Sequence, residues 1–363
     1  MTRAVARRLA MGGLLVLAVL VTGALRLPRD QPPWRETLYV FGTLVEIEIR
    51  GEDPAVAQAA TAEVGRMLQQ MHDDWHAWRP GMLGDLNTAI AEGRTFDVDP
   101  ALAEVLRQGR ALSCASGGLF EPAIGGLIAL WGFHADTPPH GAPPTPADIA
   151  ALRDRAPRMS DLDIDGTRIT SCNPAVQLDL GGFAKGAALD MAAAALAAQG
   201  IQNAVLNAGG DVNVMGAHGA RPWRVAIRDP FAWGAVAAVS LQPGEVLFTS
   251  GNYERYFDHD GQRFAHILDP RSGAPVSDIV SVSVLDTNGA RADAAATALS
   301  VAGRDDWPRV ARDMGVVSVM MIADDGEIML SPAMAARLDR LGDTRPVRVV
   351  ALPDPRPLDC AAP

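Results

Sequence analysis

Cysteine is scarce in this chain: 363 residues carry three, Cys114, Cys172 and Cys360. Their spacing fits no zinc site. In an oxidising compartment an odd number leaves at least one thiol without an internal partner, and a Cys114–Cys172 bridge and a set of unpaired thiols both remain open. Basic residues are outnumbered, 32 Lys and Arg against 43 Asp and Glu, for a formal net charge of −11. No basic run occurs outside the N-terminus, which argues against a nucleic-acid surface. Two nucleotide-binding fingerprints are missing, Gly-x-Gly-x-x-Gly and Gly-x4-Gly-Lys-Ser/Thr, so neither a Rossmann dinucleotide turn nor a Walker loop is indicated. There are no internal repeats. What remains is an acidic chain, 48% hydrophobic, long enough for one large domain or two ordinary ones.

Charge is also missing from Leu9 to Leu25, an uninterrupted apolar run preceded by Arg3, Arg7 and Arg8 and closed by the small residues Thr22, Gly23 and Ala24. This is the pattern of an export signal, although the run is long for one and short for a membrane span of about 20 residues. A cleaved signal and an uncleaved anchor both fit. The basic flank keeps the N-terminus cytoplasmic and sends the body outward, to the periplasm or to the outer face of the inner membrane in a bacterium. With no Cys at the end of the run, a lipid anchor there is excluded. We divide the chain into this leader and a Pro-rich linker (1–33), a catalytic body (34–345) and a Pro-rich tail (346–363), expected to be poorly ordered.

Within the body, Val45, Ile47 and Ile49 alternate with Leu44, Glu46 and Glu48, as in a strand. A stripe from Val56 through Val64 and Met71 to Trp75 and Trp78 predicts one long amphipathic helix facing the core. Asp99-Pro100 and Thr145-Pro146 have the form of helix caps followed by an N1 proline. Asp165-Gly166 marks a hairpin. Strands are expected near 204–206, 223–227, 236–241, 246–249, 264–268, 280–285 and 316–322, an alanine-rich helix from about 292 to 301, and a last helix after the Asp325-Gly326 turn. Strands and helices mix without strict alternation. The expected fold is α+β, with mixed or antiparallel sheets and packed helices, in one domain or two lobes, and not a Rossmann fold.

The stretch richest in chemistry is Leu178-Asp-Leu-Gly-Gly-Phe-Ala-Lys-Gly-Ala-Ala-Leu-Asp190. It reads as a strand ending at Asp179, a glycine turn that allows close backbone approach and φ values closed to other residues, and a helix with Lys185 in its first turn. The start of such a helix offers N–H groups to an anion. Other segments look like ligand loops: Ser116–Pro122, Asn207-Ala-Gly-Gly-Asp211, Thr249-Ser-Gly-Asn-Tyr-Glu254 and His266-Ile-Leu-Asp-Pro-Arg-Ser-Gly273. Asp293 and Thr297 are four residues apart, on one helix face, a carboxylate and hydroxyl pair suited to a hard cation. Each alone has an ordinary structural explanation as a turn, a cap or a strand histidine.

Taken together and in this order, these segments resemble the ApbE-type flavin transferases, from Phe41-Gly-Thr43 to the last strand and helix. The resemblance implies Mg²⁺-dependent transfer of the FMN half of FAD to a threonine hydroxyl of an acceptor protein, with AMP released. FAD would be a substrate and the acceptor a membrane-associated redox flavoprotein. It also implies roles for residues. Gly182, through its carbonyl, Asp293 and Thr297 would hold Mg²⁺. Phe41, Trp78, Leu119, Phe120, Glu121, Asp179, Lys185 and Leu268 would contact FAD. His266 would lie near the phosphates, and Asn207, Gly209, Thr249 and Ser250 would line the site. His266, Asp179 and Lys185 are the catalytic candidates, with the proton acceptor open between His266, Asp179 and Asp293. This chain departs from the family's more usual residues at Phe41, His76, Trp78 and Glu121. Water in place of threonine would make the chain an FAD pyrophosphatase, and loss of turnover would leave an exported flavin-binding protein.

Overall fold

The structure, a computed structural model, describes residues 32–135, 137 and 139–354. The leader, its predicted signal or anchor and Cys360 lie outside the described residues. No helix among the described residues is long and apolar enough to cross a membrane.

The alternation at 43–49 becomes a strand, Thr43–Ile49, with Val45, Ile47 and Ile49 buried and Glu46 exposed. It pairs with Trp34–Val40 as a hairpin at one end of a nine-stranded sheet. Outward from that hairpin the order is Ala204–Ala208, Asp211–Met215, Val246–Gly251, Ile279–Asp286, Ser318–Ala323, Ile328–Leu330 and Val347–Val349. All these pairs are antiparallel except the last, which is parallel.

Both faces of this sheet are covered, and the period of two decides which side chain goes where. Val246 and Phe248 join the larger core on one face, whereas Leu247 between them joins a second core on the other. Val319 and Met321 face the first core, and Met320 and Ile322 the second. Helices Pro54–Asp74, Ala184–Ala198 and Gly289–Asp313 pack on the first face. A three-stranded sheet of Trp223–Arg228, Ala235–Leu241 and Leu338–Arg340 covers the second. A small aromatic cluster, including Ile124, Trp131, Phe133, Phe257 and Leu268, stands apart from both. The fold is α+β, with a mixed main sheet and no Rossmann arrangement, as expected.

The proline caps are present: Asp99 accepts from Leu102 N–H at 2.6 Å and Thr145 from Asp148 N–H at 3.2 Å. The hairpin at 162–171 is also formed. Three expectations change, and one alternative left open is decided. The long helix stops at Asp74, with Trp75 as its C-cap, so Trp78 lies in the following loop rather than on the helical stripe. The last helix is the single turn Pro332–Ala335, preceded by the strand Ile328–Leu330. The tail is not wholly irregular, because Val347–Val349 adds to the sheet edge beside that strand. Cys172 is free and exposed, so it does not pair with Cys114.

No regular strand precedes Asp179. Residues 178–180 lie outside any strand, and a side chain supplies the pairing a neighbouring strand would give. Asn87 accepts from Leu178 N–H at 2.7 Å and donates to its carbonyl at 3.0 Å. On either side, Gln177 and Asp179 N–H donate to the carbonyls of Ala123 and Pro122. A buried segment must have its backbone groups paired, and an asparagine amide satisfies one residue on both sides.

Candidate functional site

A cavity of about 520 Å³ opens between the first core and the aromatic cluster. Its wall includes every candidate residue named above except Asn207. Asn207 closes its own turn, accepting from Gly210 N–H at 2.9 Å and donating to Glu46 at 3.2 Å, so it shapes the Gly209 corner without lining the cavity.

At one side stand rings. Phe41 and Gly42 form the two-residue turn of the first hairpin, with φ of 54° and 72°. Positive φ at both positions suits the twist of a hairpin but is costly for a bulky side chain. Phe41 is held there by its N–H, which donates to His72 Nδ1 at 3.1 Å, and by ring contacts with His72 and Trp75. Trp78 donates its indole N–H to Asp179 Oδ2 at 2.9 Å, while Asp179 Oδ1 accepts from Gly181 N–H at 2.8 Å. Both Asp179 oxygens are therefore engaged in fixing the loop and the tryptophan.

The glycine turn meets one of its two expectations. Neither Gly181 nor Gly182 has positive φ; the close approach allowed by a missing Cβ is what they provide. A Cβ on Gly182 would come 3.3 Å from the Phe120 ring and 3.6 Å from Thr297 Oγ1. The start of helix Ala184–Ala198 is also less open than expected. Ala184 N–H donates to the Leu180 carbonyl at 2.7 Å, and Gly186 N–H to Asp293 Oδ2 at 3.1 Å. Asp293 thus occupies part of the position that an anion would take.

Gly186 also sets how closely the two site helices meet. A Cβ there would lie 2.2 Å from the Gly289 carbonyl oxygen, and one on Gly289 would lie 2.8 Å from the Gly186 oxygen. This glycine contact brings Asp293 and Thr297, one and two turns into the second helix, over Gly182 and Lys185.

Lys185 Nζ is 2.6 Å from Asp211 Oδ2 and 3.6 Å from Asp293 Oδ2. Burial opposes its charge, but the two carboxylates outweigh burial and hold the ammonium well above its usual range. Asp211 is fixed in turn by Thr249 N–H at 2.9 Å. Glu254, in the cavity wall, is pushed up to about 7 by burial, with Lys185 opposing and Asp211 reinforcing the shift. The Asp293 carboxyl also rises to about 7, chiefly by burial. Thr297 Oγ1 lies 3.4 Å from Ser250 Oγ.

His266 Nδ1 is 3.1 Å from the Arg255 carbonyl oxygen. A carbonyl only accepts, so Nδ1 carries the proton and Nε2 keeps its lone pair. Burial, then the Arg255 cation, lowers this imidazole to about 4, and it is neutral at pH 7. Glu121 is in the wall, but its carboxylate is spent on the protein: it accepts from Ser113 Oγ at 2.8 Å, Met159 N–H at 2.9 Å and Ala123 N–H at 3.2 Å. Leu119, Phe120 and Leu268 are buried and contribute apolar surface.

Asp211, Glu254 and Asp190 carry no local signal of a role in the sequence. The first two end loops already singled out, and Asp190 closes the Leu178–Asp190 stretch. Their acidity was visible; their approach to Lys185 or to a second helix was not.

In class, this is an α+β protein whose cavity suits a ligand joining a planar ring to a charged group. Residues 41–321 match the sequence model of the ApbE family. A FAD:protein FMN transferase of Rhodobacter capsulatus is 59% identical over 337 residues, 92% of this chain and 64% of that protein, so the chain spans slightly under two thirds of that relative. One from Vibrio cholerae is 31% identical over 282 residues, 76% of this chain and 84% of that protein. Among solved structures, the ApbE protein of Thermotoga maritima superposes with a TM-score of 0.75 at 28% identity, covering 84% of this chain and 99% of that one. The flavin transferase ApbE of Vibrio cholerae gives 0.73 at 28% identity, with 84% and 100% covered. The chain belongs to the ApbE family.

Proposed function

We propose that this chain is an FAD:protein FMN transferase that uses Mg²⁺ to move FMN from FAD to a threonine hydroxyl of an acceptor protein, releasing AMP. Family membership and the names of its relatives support flavin transfer. The observation that carries the finer reading is the charge balance of the cavity. Lys185 faces Asp211 and Asp293 at ion-pair distance, with Glu254 close by. Such a floor repels a diphosphate unless a further cation enters.

The donor set fits Mg²⁺. Among the described residues no three His, Cys, Asp or Glu side chains form a metal cluster; the candidates are one carboxylate, Asp293, one hydroxyl, Thr297, and the Gly182 carbonyl. Mg²⁺ takes oxygen ligands and is commonly held by one or two carboxylates together with water and substrate phosphates. Bound there, it would supply positive charge to the diphosphate oxygens.

The chain's own residues do the rest. Phe41 and Trp78 offer faces for stacking the flavin or adenine ring, with Trp78 aimed by Asp179. Lys185 adds charge at the phosphates, and its carboxylate partners hold it in place. The threonine oxygen attacks the FMN phosphorus, the bond from that phosphorus to the oxygen bridging to AMP breaks, and AMP leaves with the electron pair. The hydroxyl proton passes to His266 Nε2, whose lone pair is kept because Nδ1 donates to the Arg255 carbonyl. The leader sequence supports a periplasmic site of action, free or anchored in the inner membrane, and a membrane-associated redox flavoprotein as acceptor.

The test incubates the protein with FAD, Mg²⁺ and a candidate acceptor and measures acceptor mass and AMP. Covalent FMN on one threonine, matched by AMP, is the expected result. FMN and AMP without labelling would make the chain a hydrolase, and tight FAD binding without turnover a storage protein. Asp293→Ala should abolish Mg²⁺-dependent turnover; undiminished activity refutes the metal assignment.

A further inference from the structure

Asp190 does not line the cavity, yet it joins the three elements that carry Lys185, Asp211 and Asp293. It projects from helix Ala184–Ala198, which carries Lys185. Its Oδ2 accepts from the N–H groups of Gly289 at 2.7 Å and Ala290 at 3.2 Å, at the start of the helix that carries Asp293 and Thr297. Its Oδ1 accepts from Asn213 Nδ2 at 3.1 Å. Asn213 lies two residues from Asp211 on the strand Asp211–Met215, hence on the same face.

These bonds are more than a local cap. The first N–H groups of a helix lack partners within it. In helix Gly289–Asp313 the local N-cap, Asn288, serves Arg291 N–H through its side chain at 2.7 Å, and its carbonyl serves Ala292 N–H at 3.0 Å. Gly289 and Ala290 remain, and their acceptor comes from a different helix. A carboxylate also suits the positive end of the helix dipole. The tie lies about one turn, roughly 5.4 Å, before Asp293, where the missing Cβ atoms of Gly186 and Gly289 allow the backbones to touch.

We infer that Asp190 is a positioning residue that keeps Asp293 and Thr297 in register with Gly182, Lys185 and Asp211, so that the three elements act as one clamp for a cation and a diphosphate. The inference rests on the Mg²⁺ and FAD reading above. Without Asp190 the second helix can slide against the first, and the Asp293–Thr297 pair loses its fixed distance to Gly182. Supporting residues behind metal ligands commonly change metal affinity by about 10–100-fold when removed.

The test measures FAD binding to the full-length protein by flavin fluorescence over a Mg²⁺ titration, together with the ligand-free melting temperature. Asp190→Ala should weaken apparent Mg²⁺ affinity about 10-fold or more while FAD binding without Mg²⁺ stays as in the wild type. Asp190→Asn should recover part of the loss, because its amide oxygen still accepts from the helix start. Asn288→Ala removes a cap from the same helix but leaves the link between elements intact. It should lower the melting temperature and leave Mg²⁺ affinity unchanged. If Asp190→Ala does not fold, Asn213→Ala, which releases the other carboxylate oxygen, should show the same loss in milder form. Wild-type Mg²⁺ affinity in the Asp190 and Asn213 variants, or an equal loss in Asn288→Ala, overturns the inference. If the wild type itself shows no Mg²⁺ effect on FAD binding, the metal reading fails and this inference fails with it.

Discussion

Replacing Lys185 by Met keeps most of the aliphatic stem and deletes the charge between Asp211 and Asp293. At an effective dielectric of about 20, a contact at 2.6 Å is worth roughly 6 kcal/mol of Coulomb energy and one at 3.6 Å roughly 5. Most of this offsets the cost of desolvating the lysine and the two carboxylates. Measured losses on removing one partner of a buried pair are about 3–5 kcal/mol. The lysine side chain is 26% exposed and the cavity admits water, so we place the loss at about 2–3 kcal/mol at pH 8. At this chain length that corresponds to roughly 3–5 °C in melting temperature. The pH dependence identifies the cause. Without Lys185 the Asp293 carboxyl, already pushed up to about 7, rises further. A carboxyl raised by folding contributes stability that is present below its unfolded value near 4 and lost as pH rises through the folded value. The deficit of the variant should therefore be smallest near pH 5.5 and grow as pH rises through 7 to 8 and above. Thermal unfolding of both proteins across that range is the assay. A variant as stable as wild type at pH 8, or a deficit that does not change with pH, refutes the argument.

Three further outcomes are expected. Gly186→Ala gains about 1 kcal/mol of helix propensity, but its Cβ would meet the Gly289 carbonyl at 2.2 Å; overpacking of about 1–3 kcal/mol or more should win, and a raised melting temperature would show that the helices do not touch there. Proton and Mg²⁺ compete for Asp293, so the acid limb of turnover should move to lower pH as Mg²⁺ increases; His266, lowered to about 4, keeps its Nε2 lone pair throughout. An acid limb insensitive to Mg²⁺ contradicts the role of Asp293. Trp78→Phe keeps a ring and loses the bond to Asp179 at 2.9 Å; with water able to replace part of it, FAD should bind roughly five-fold more weakly, about 1 kcal/mol, and equal binding in equilibrium titration would leave that bond without a function.

Much of the fold was legible because its signals are local. Val45, Ile47 and Ile49 announce their strand by a period of two, and Asp99-Pro100 and Thr145-Pro146 announce helix starts through one side chain and one fixed φ. The errors fell where a distant group replaced a local one. Leu178–Leu180 has the composition of a strand, yet its partner is the Asn87 side chain, 91 residues away. Trp78 continues the apolar stripe of the preceding helix, yet the chain leaves that helix at Asp74 and a bond to Asp179 turns the indole to the cavity. Val347–Val349 reads as tail and still finds a sheet edge.

By itself the sequence determined the α+β class, the acidic surface and the short segments from which a flavin-transferase site is assembled. Those properties follow from periodicity, charge count and ordered motifs, each of which is a property of the chain before it folds. Only the tertiary structure decided what those segments do to one another. Lys185 was expected to contact FAD, and the fold adds a clasp by Asp211 and Asp293; Asp179 was a candidate base, and the fold ties it to Trp78. Gly182 was expected to allow close backbone approach and an unusual φ; its φ is ordinary, and its missing Cβ leaves room beside Phe120 and Thr297. Asp190, which had no assigned role, joins the three elements that carry the charged cluster. The physical reason is range. Backbone preference acts over a few residues, whereas a carboxylate's partner, and so its charge state, is chosen by whatever the fold brings within about 3 Å.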